Sequence, residues 1–64
     1  MLVEQINYEI EWKHFRRGMS FFIPCLDPLT AKRTIRAPLR RLGIRALLKT
    51  KIEDGVMGVR VWRL

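Results

Sequence analysis

One cysteine, one histidine and six acidic residues in a chain of 64 already exclude several kinds of protein. Cys25 has no second cysteine, so no disulfide framework exists, and a lone thiol is consistent with a reducing compartment. His14 has no second histidine, and no zinc-type spacing or glycine-rich phosphate loop occurs. Long apolar runs are missing too: no stretch approaches the ~18 residues of a membrane span, and no basic segment followed by an apolar run opens the chain. A soluble, intracellular protein is expected, with a cytoplasmic location. Internal repeats and low-complexity tracts are also lacking.

Catalytic constellations are equally hard to assemble. A thiol at the start of a basic helix would have a depressed pKa, but nucleophilic catalysis also needs a base and an oxyanion site, and His14 is remote from Cys25 in sequence. The better reading of Cys25 is a small, partly buried hydrophobe. Glu53 and Asp54 fall at a turn, while Glu9 and Glu11 line the polar side of a strand pattern. The expectation is a protein that is not an enzyme and holds neither cofactor nor metal.

What the chain has in abundance is positive charge: 13 Lys and Arg against 6 Asp and Glu, a net charge of +7. Up to residue 26, Glu4, Glu9 and Glu11 cancel Lys13, Arg16 and Arg17, and from residue 52 onward Glu53 and Asp54 cancel Arg60 and Arg63. The excess lies between, where Asp27 faces Lys32, Arg33, Arg36, Arg40, Arg41, Arg45, Lys49 and Lys51. Asymmetry of this kind points to an anionic partner. A chain this short forms a single domain, residues 1–64, with one small core and marginal stability, which makes a partner or a homodimer worth considering beside a monomer.

The pattern of elements predicts an α+β domain of strand, strand, helix, strand, strand order, one helix packed on a small antiparallel sheet. Ile6, Tyr8, Ile10 and Trp12 alternate with polar residues as in a strand with one buried face. After a break at Gly18, "SFFIPCL" reads as a short strand whose Pro24 belongs at an edge or an end. Both Phe21 and Phe22 are expected in the core, in preference to an outward-facing Phe22. "DPLTAKRTIRAPLRRLG" reads as a helix with Asp27 as N-cap, Pro28 at its first position and Gly43 just past its end. Ala31, Ile35, Leu39 and Leu42 form its apolar stripe, and Arg33, Arg36 and Arg40 stand on the opposite side. Pro38 is expected to kink the helix or to start a second one. Asp54-Gly55 between two alternating runs signals a hairpin, with Leu48, Thr50 and Ile52 on the core side together with Val59 and Val61. Lys49, Lys51, Arg60 and Trp62 fall on the other side.

The run "SFFIPCL" after "RRG", the arginine-rich helix and the closing "IEDGVMGVRVWRL" resemble a group of small basic proteins of bacteriophage and prophage genomes, from about Trp12 to Leu64. Gly58 to Arg63 is the most distinctive part. The resemblance implies a phage protein acting in the host bacterial cytoplasm, and it assigns no functional residue.

Together these features favour a nucleic-acid-binding protein, regulatory or genome-handling, with DNA preferred over RNA. Arg33, Arg36, Arg40 and Arg41 would contact phosphates, and Lys49, Lys51 and Arg60 would extend the track onto the sheet. Trp62, between Arg60 and Arg63, is either a stacking platform for a base or, as the more economical reading, an aromatic needed for burial. The alternative function is an adaptor or inhibitor docking on an acidic surface of a host enzyme through arginine and tryptophan anchors. Membrane-surface binding is disfavoured, since the helix stripe lacks aromatics and is needed for the core.

Overall fold

In the computed structural model, which describes all 64 residues, the elements in chain order are β1 (Leu2–Val3), β2 (Ile6–Asn7), a 3-10 turn at Trp12–His14, β3 (Ser20–Pro24), α1 (Pro28–Arg41), β4 (Ala46–Glu53) and β5 (Val56–Arg63). β1 and β2 form a separate two-stranded ribbon, and the other strands make an antiparallel sheet of order β3-β5-β4. The expected α+β class, with one helix, antiparallel pairing and a C-terminal hairpin, is present, and three strands instead of two precede the helix.

β5 occupies the centre of the sheet, with β4 joined to it by a local hairpin and β3, which precedes the helix, paired along its other edge. Asp54 and Gly55 take φ values of 51° and 78°, the pair of positive angles that a two-residue hairpin requires, and they bring Glu53 opposite Val56. Val59 and Val61 then stand between Ile23 and Phe21 on β3 and Thr50 and Leu48 on β4, all pointing to one side. α1 lies on that side. Its Asp27 cap accepts from the Thr30 backbone N–H, Pro28 starts the helix, and the Gly43 N–H and Ile44 N–H donate to the carbonyls of Arg40 and Leu39 to close it. Ile35 from the helix and Val59 and Val61 from the sheet are wholly buried, each contributing about 1.5–3 kcal/mol on transfer from water.

Four expectations are corrected. The alternating segment from Ile6 does not form a strand of the main sheet: only Ile6 and Asn7 pair, and they pair with β1. The chain reverses at Glu4–Gln5, and Met1 and Tyr8 close the ribbon with N–H to carbonyl bonds of 2.7 and 3.0 Å. The alternation is nevertheless real, because Tyr8, Ile10 and Trp12 are half-buried while Asn7, Glu9 and Glu11 are exposed. It reports which side of an extended chain meets the core, not whether a backbone partner lies beside it. Trp12 uses its buried side edge-on against Phe15 and Phe21, at centroid distances of 6.3 and 6.1 Å.

Pro38 does not start a second helix: α1 runs unbroken through it to Arg41. Its ring is buried with Ala31, Ile35 and Leu39, so it contributes apolar surface to the packed side, although it cannot donate to the Thr34 carbonyl. Leu42 leaves the expected stripe. As the C-cap it sits past the sheet and is half exposed. Finally, Phe22 is not in the core with Phe21. Strict alternation along β3 turns Phe21 and Ile23 toward the helix and Phe22 to the opposite face, where its ring lies across Gly58.

Thr50 and Ile52 do stand on the helix side of the sheet, yet both are exposed, because the hairpin extends past the reach of a helix of 14 residues. Gly58 is the position where a side chain is not tolerated. A Cβ there would come within 2.3 Å of the Ile23 carbonyl oxygen and 2.7 Å of the Phe22 ring. Gly58→Ala is therefore expected to destabilise the domain by about 1–3 kcal/mol, the range for overpacking a tight site, as read from urea denaturation. An unchanged midpoint would show that Phe22 does not lie on Gly58.

Candidate nucleic-acid interface

The helix exposes its cations without compensation. Arg33, Arg36, Arg40 and Arg41 are all exposed, and none takes part in an ion pair or a side-chain hydrogen bond; the only salt bridge in the molecule joins Arg60 to Glu53. Arg33 and Arg40 are separated by seven residues, about 10 Å along the axis, so the row matches the scale of a phosphate backbone. Arg36 and Arg40 continue into a shallow cleft of about 370 Å³ beside β4, where Arg45 joins them over a floor that includes Leu39 and Leu48. Arg45 belongs to this surface although the helix pattern did not include it. Its position in sequence, just past a helix-ending glycine, was the available signal.

Lys49, Lys51, Arg60 and Trp62 do not extend that row. Their alternation with Val59 and Leu48 puts them on the face of the sheet away from α1, so the sheet itself separates them from the helix arginines. This face is internally paired. Arg60 donates to both carboxylate oxygens of Glu53 and to the Ser20 hydroxyl at 2.7 Å, and its guanidinium lies 5.6 Å from the centre of the Phe22 ring. The hydrogen bond from Arg60, with its charge, holds the Glu53 carboxyl below the usual range and pushes the Arg60 guanidinium up. Arg60 thus braces all three strands and is not free to take a phosphate. Trp62 is half-buried, and the Lys51 ammonium stands 5.7 Å from its ring. Lys49 and Lys51 are exposed.

A second cationic group assembles from residues whose charges cancelled in sequence. Lys13, Arg16 and Arg17 come together with Arg63 around a cleft of about 460 Å³ at the C-terminal end of α1. Glu9 and Glu11 do not line it, bordering instead the groove against the outer edge of β3. Summing charge along the chain hid this group, and the cluster "KHFRRG" was the local sign of it.

Cys25 is buried, and its thiol is pushed up by burial first and then by the negative charges of Glu4 and Asp27. The activated thiol considered from sequence is therefore reversed in direction. Both acids are engaged next to it. The Glu4 carboxylate accepts from the backbone N–H groups of Leu26 and Asp27 at 2.8 Å, and Asp27 accepts from the Thr30 hydroxyl at 2.7 Å.

No protein-family model matches this chain, and neither a curated protein nor a solved structure does. Fold and surface define a small basic α+β domain with an unpaired arginine row on its one helix. No helix is long and apolar enough to cross a membrane.

The Thr30 hydrogen bonds hold the Asp27 carboxyl below its ordinary value, as Arg60 does for Glu53. Carboxyls depressed in the folded state stabilise it above their unfolded pKa of about 4, and this stabilisation is lost as pH falls through the folded values. Stability is thus expected to be flat from neutral pH to about 5 and to decline below 4, with Asp27→Asn shallowing the decline in acid denaturation curves. For Cys25, alkylation by iodoacetamide at pH 7 should be markedly slower in the folded protein than in urea. Equal rates would mean that the thiol is neither buried nor suppressed.

Proposed function

We propose that this protein binds nucleic acid, duplex DNA in the first instance, through Arg33, Arg36, Arg40 and Arg41, with Arg45 continuing the contact. The observation that carries the reading is that these helix arginines are exposed and unpaired in a domain that pairs Arg60 and Glu53 elsewhere. Cations left free in this way gain affinity by releasing the counterions condensed on phosphates, and the planar guanidinium can grip a phosphate with two donors. Lys49, Lys51, Arg60 and Trp62 take no part in the same contact, since they lie across the sheet. Given the resemblance to phage and prophage proteins, the setting we propose is the host bacterial cytoplasm and the role a regulatory or genome-handling one.

A protein partner is favoured by a different observation. Leu26, Leu29 and Ile52 are 86%, 73% and 70% exposed, apolar surface that a protein partner would cover. An adaptor docking on an acidic host surface would use these together with the arginines.

The test compares the protein with a triple Arg33→Gln, Arg36→Gln, Arg40→Gln variant. Stability should change by about 0.5 kcal/mol or less per site, because these exposed side chains form no ion pair or side-chain hydrogen bond. Duplex affinity should collapse, and the slope of log affinity against log salt should become shallower by about 2.7 units, from about 0.9 per phosphate contact. Retained binding with the same slope removes the helix as the contact surface. A wild-type protein that binds neither DNA nor RNA at low salt shifts the reading to the protein partner.

A further inference from the structure

The cleft at the C-terminal end of α1 has two unlike halves. One is cationic, formed by Lys13, Arg16, Arg17 and Arg63, and the other is apolar, formed chiefly by Trp12, Leu42 and Ile44. No carboxylate lines it. We propose that this cleft binds a nucleoside phosphate, its base against Trp12 and the leucine–isoleucine wall and its phosphate among the arginines.

Arg63 is the ordered member of the cationic half. Its Nη1 donates to the Phe15 carbonyl at 3.2 Å, which fixes the guanidinium at the wall of the cleft. Lys13, Arg16 and Arg17 beside it are exposed and form no ion pair. Phosphate oxygens match this uncompensated charge.

The helix end next to the cleft does not oppose an anion as a bare helix C-terminus would. The carbonyls of Pro38, Leu39 and Arg40 are taken by the N–H groups of Leu42, Ile44 and Gly43, and Arg41 stands in the last turn. A free cation cluster alone would attract any anion. The apolar half is what selects a ligand with a flat, poorly hydrated body attached to its phosphate, since Trp12 is only half-buried by Phe15 and Phe21 and keeps surface toward the cleft.

The chemistry is shared by a free mononucleotide and by the phosphorylated end of a strand. This second source rests on the nucleic-acid reading above; the first does not. Calorimetric titration of the full chain with adenosine 5′-monophosphate, adenosine, inorganic phosphate and a 5′-phosphorylated or 5′-hydroxyl oligonucleotide separates them. The monophosphate is expected to bind at least tenfold more tightly than either adenosine or phosphate. Arg16→Gln with Arg17→Gln should weaken it at least tenfold, while the helix triple variant retains it. Both substituted arginines are exposed, so these variants should fold as the parent does. A preference for the 5′-phosphorylated over the 5′-hydroxyl oligonucleotide assigns the cleft to strand ends, and equal binding of the two with tight monophosphate binding assigns it to free nucleotides. Monophosphate binding no tighter than inorganic phosphate, or undiminished in the Arg16/Arg17 variant, overturns the proposal. Duplex binding lost in the helix triple variant with no nucleotide bound in the cleft would leave the helix reading standing and this one refuted.

Discussion

The contact of Ile35 with the central strand is the constraint on which everything else depends. Ile35, Val59 and Val61 are the large side chains removed completely from water, and around them a helix of 14 residues and a sheet of three strands share one apolar layer. A domain of this size has no reserve core with which to replace that layer. Once α1 is committed to one side of β5, its arginines must face solvent, and the alternate residues of the sheet must form a second, separate surface.

That surface shows how the small core is supplemented. Gly58 removes a side chain so that Phe22 can lie on the backbone, Arg60 lies on Phe22, and Glu53 and Ser20 fix Arg60 from the two flanking strands. Charge there is spent on cohesion between strands. On the helix it is left unspent, and the contrast separates cations that hold the domain together from cations available to a partner.

Local signals were read correctly where the chain's own chemistry decides the outcome. Asp27, Pro28 and Gly43 bounded the helix, and Asp54-Gly55 set the hairpin and with it the side on which each β4 and β5 residue stands. Reading failed where the outcome depends on distant neighbours. Ile6 to Trp12 carries a strand's alternation, yet the Glu4–Gln5 reversal and the attraction of Trp12 to Phe15 and Phe21 fix its course. Pro38 carries a breaker's chemistry, yet burial against the sheet retains it. Phe22 looked like core because nothing local reveals a glycine on the neighbouring strand, distant in sequence, that offers a flat bed. For the site, the helix arginines were legible from periodicity alone. The Lys13, Arg16, Arg17 and Arg63 group was not, since it joins the two halves of the chain and the acids that balance it in sequence point elsewhere.

Glu4 and Gln5 turn the N-terminal ribbon with φ angles of 49° and 69°, values that residues with a Cβ adopt at a cost. The compensation comes from 22 residues away, where Leu26 and Asp27 donate their N–H groups to the Glu4 carboxylate. Those donors are presented only once the chain has turned from β3 into α1. The ribbon is consequently tied to the same turn that starts the helix, and Val3 of β1 is buried in the core that the helix and sheet share. The first residues of the chain and the start of its helix form one joint.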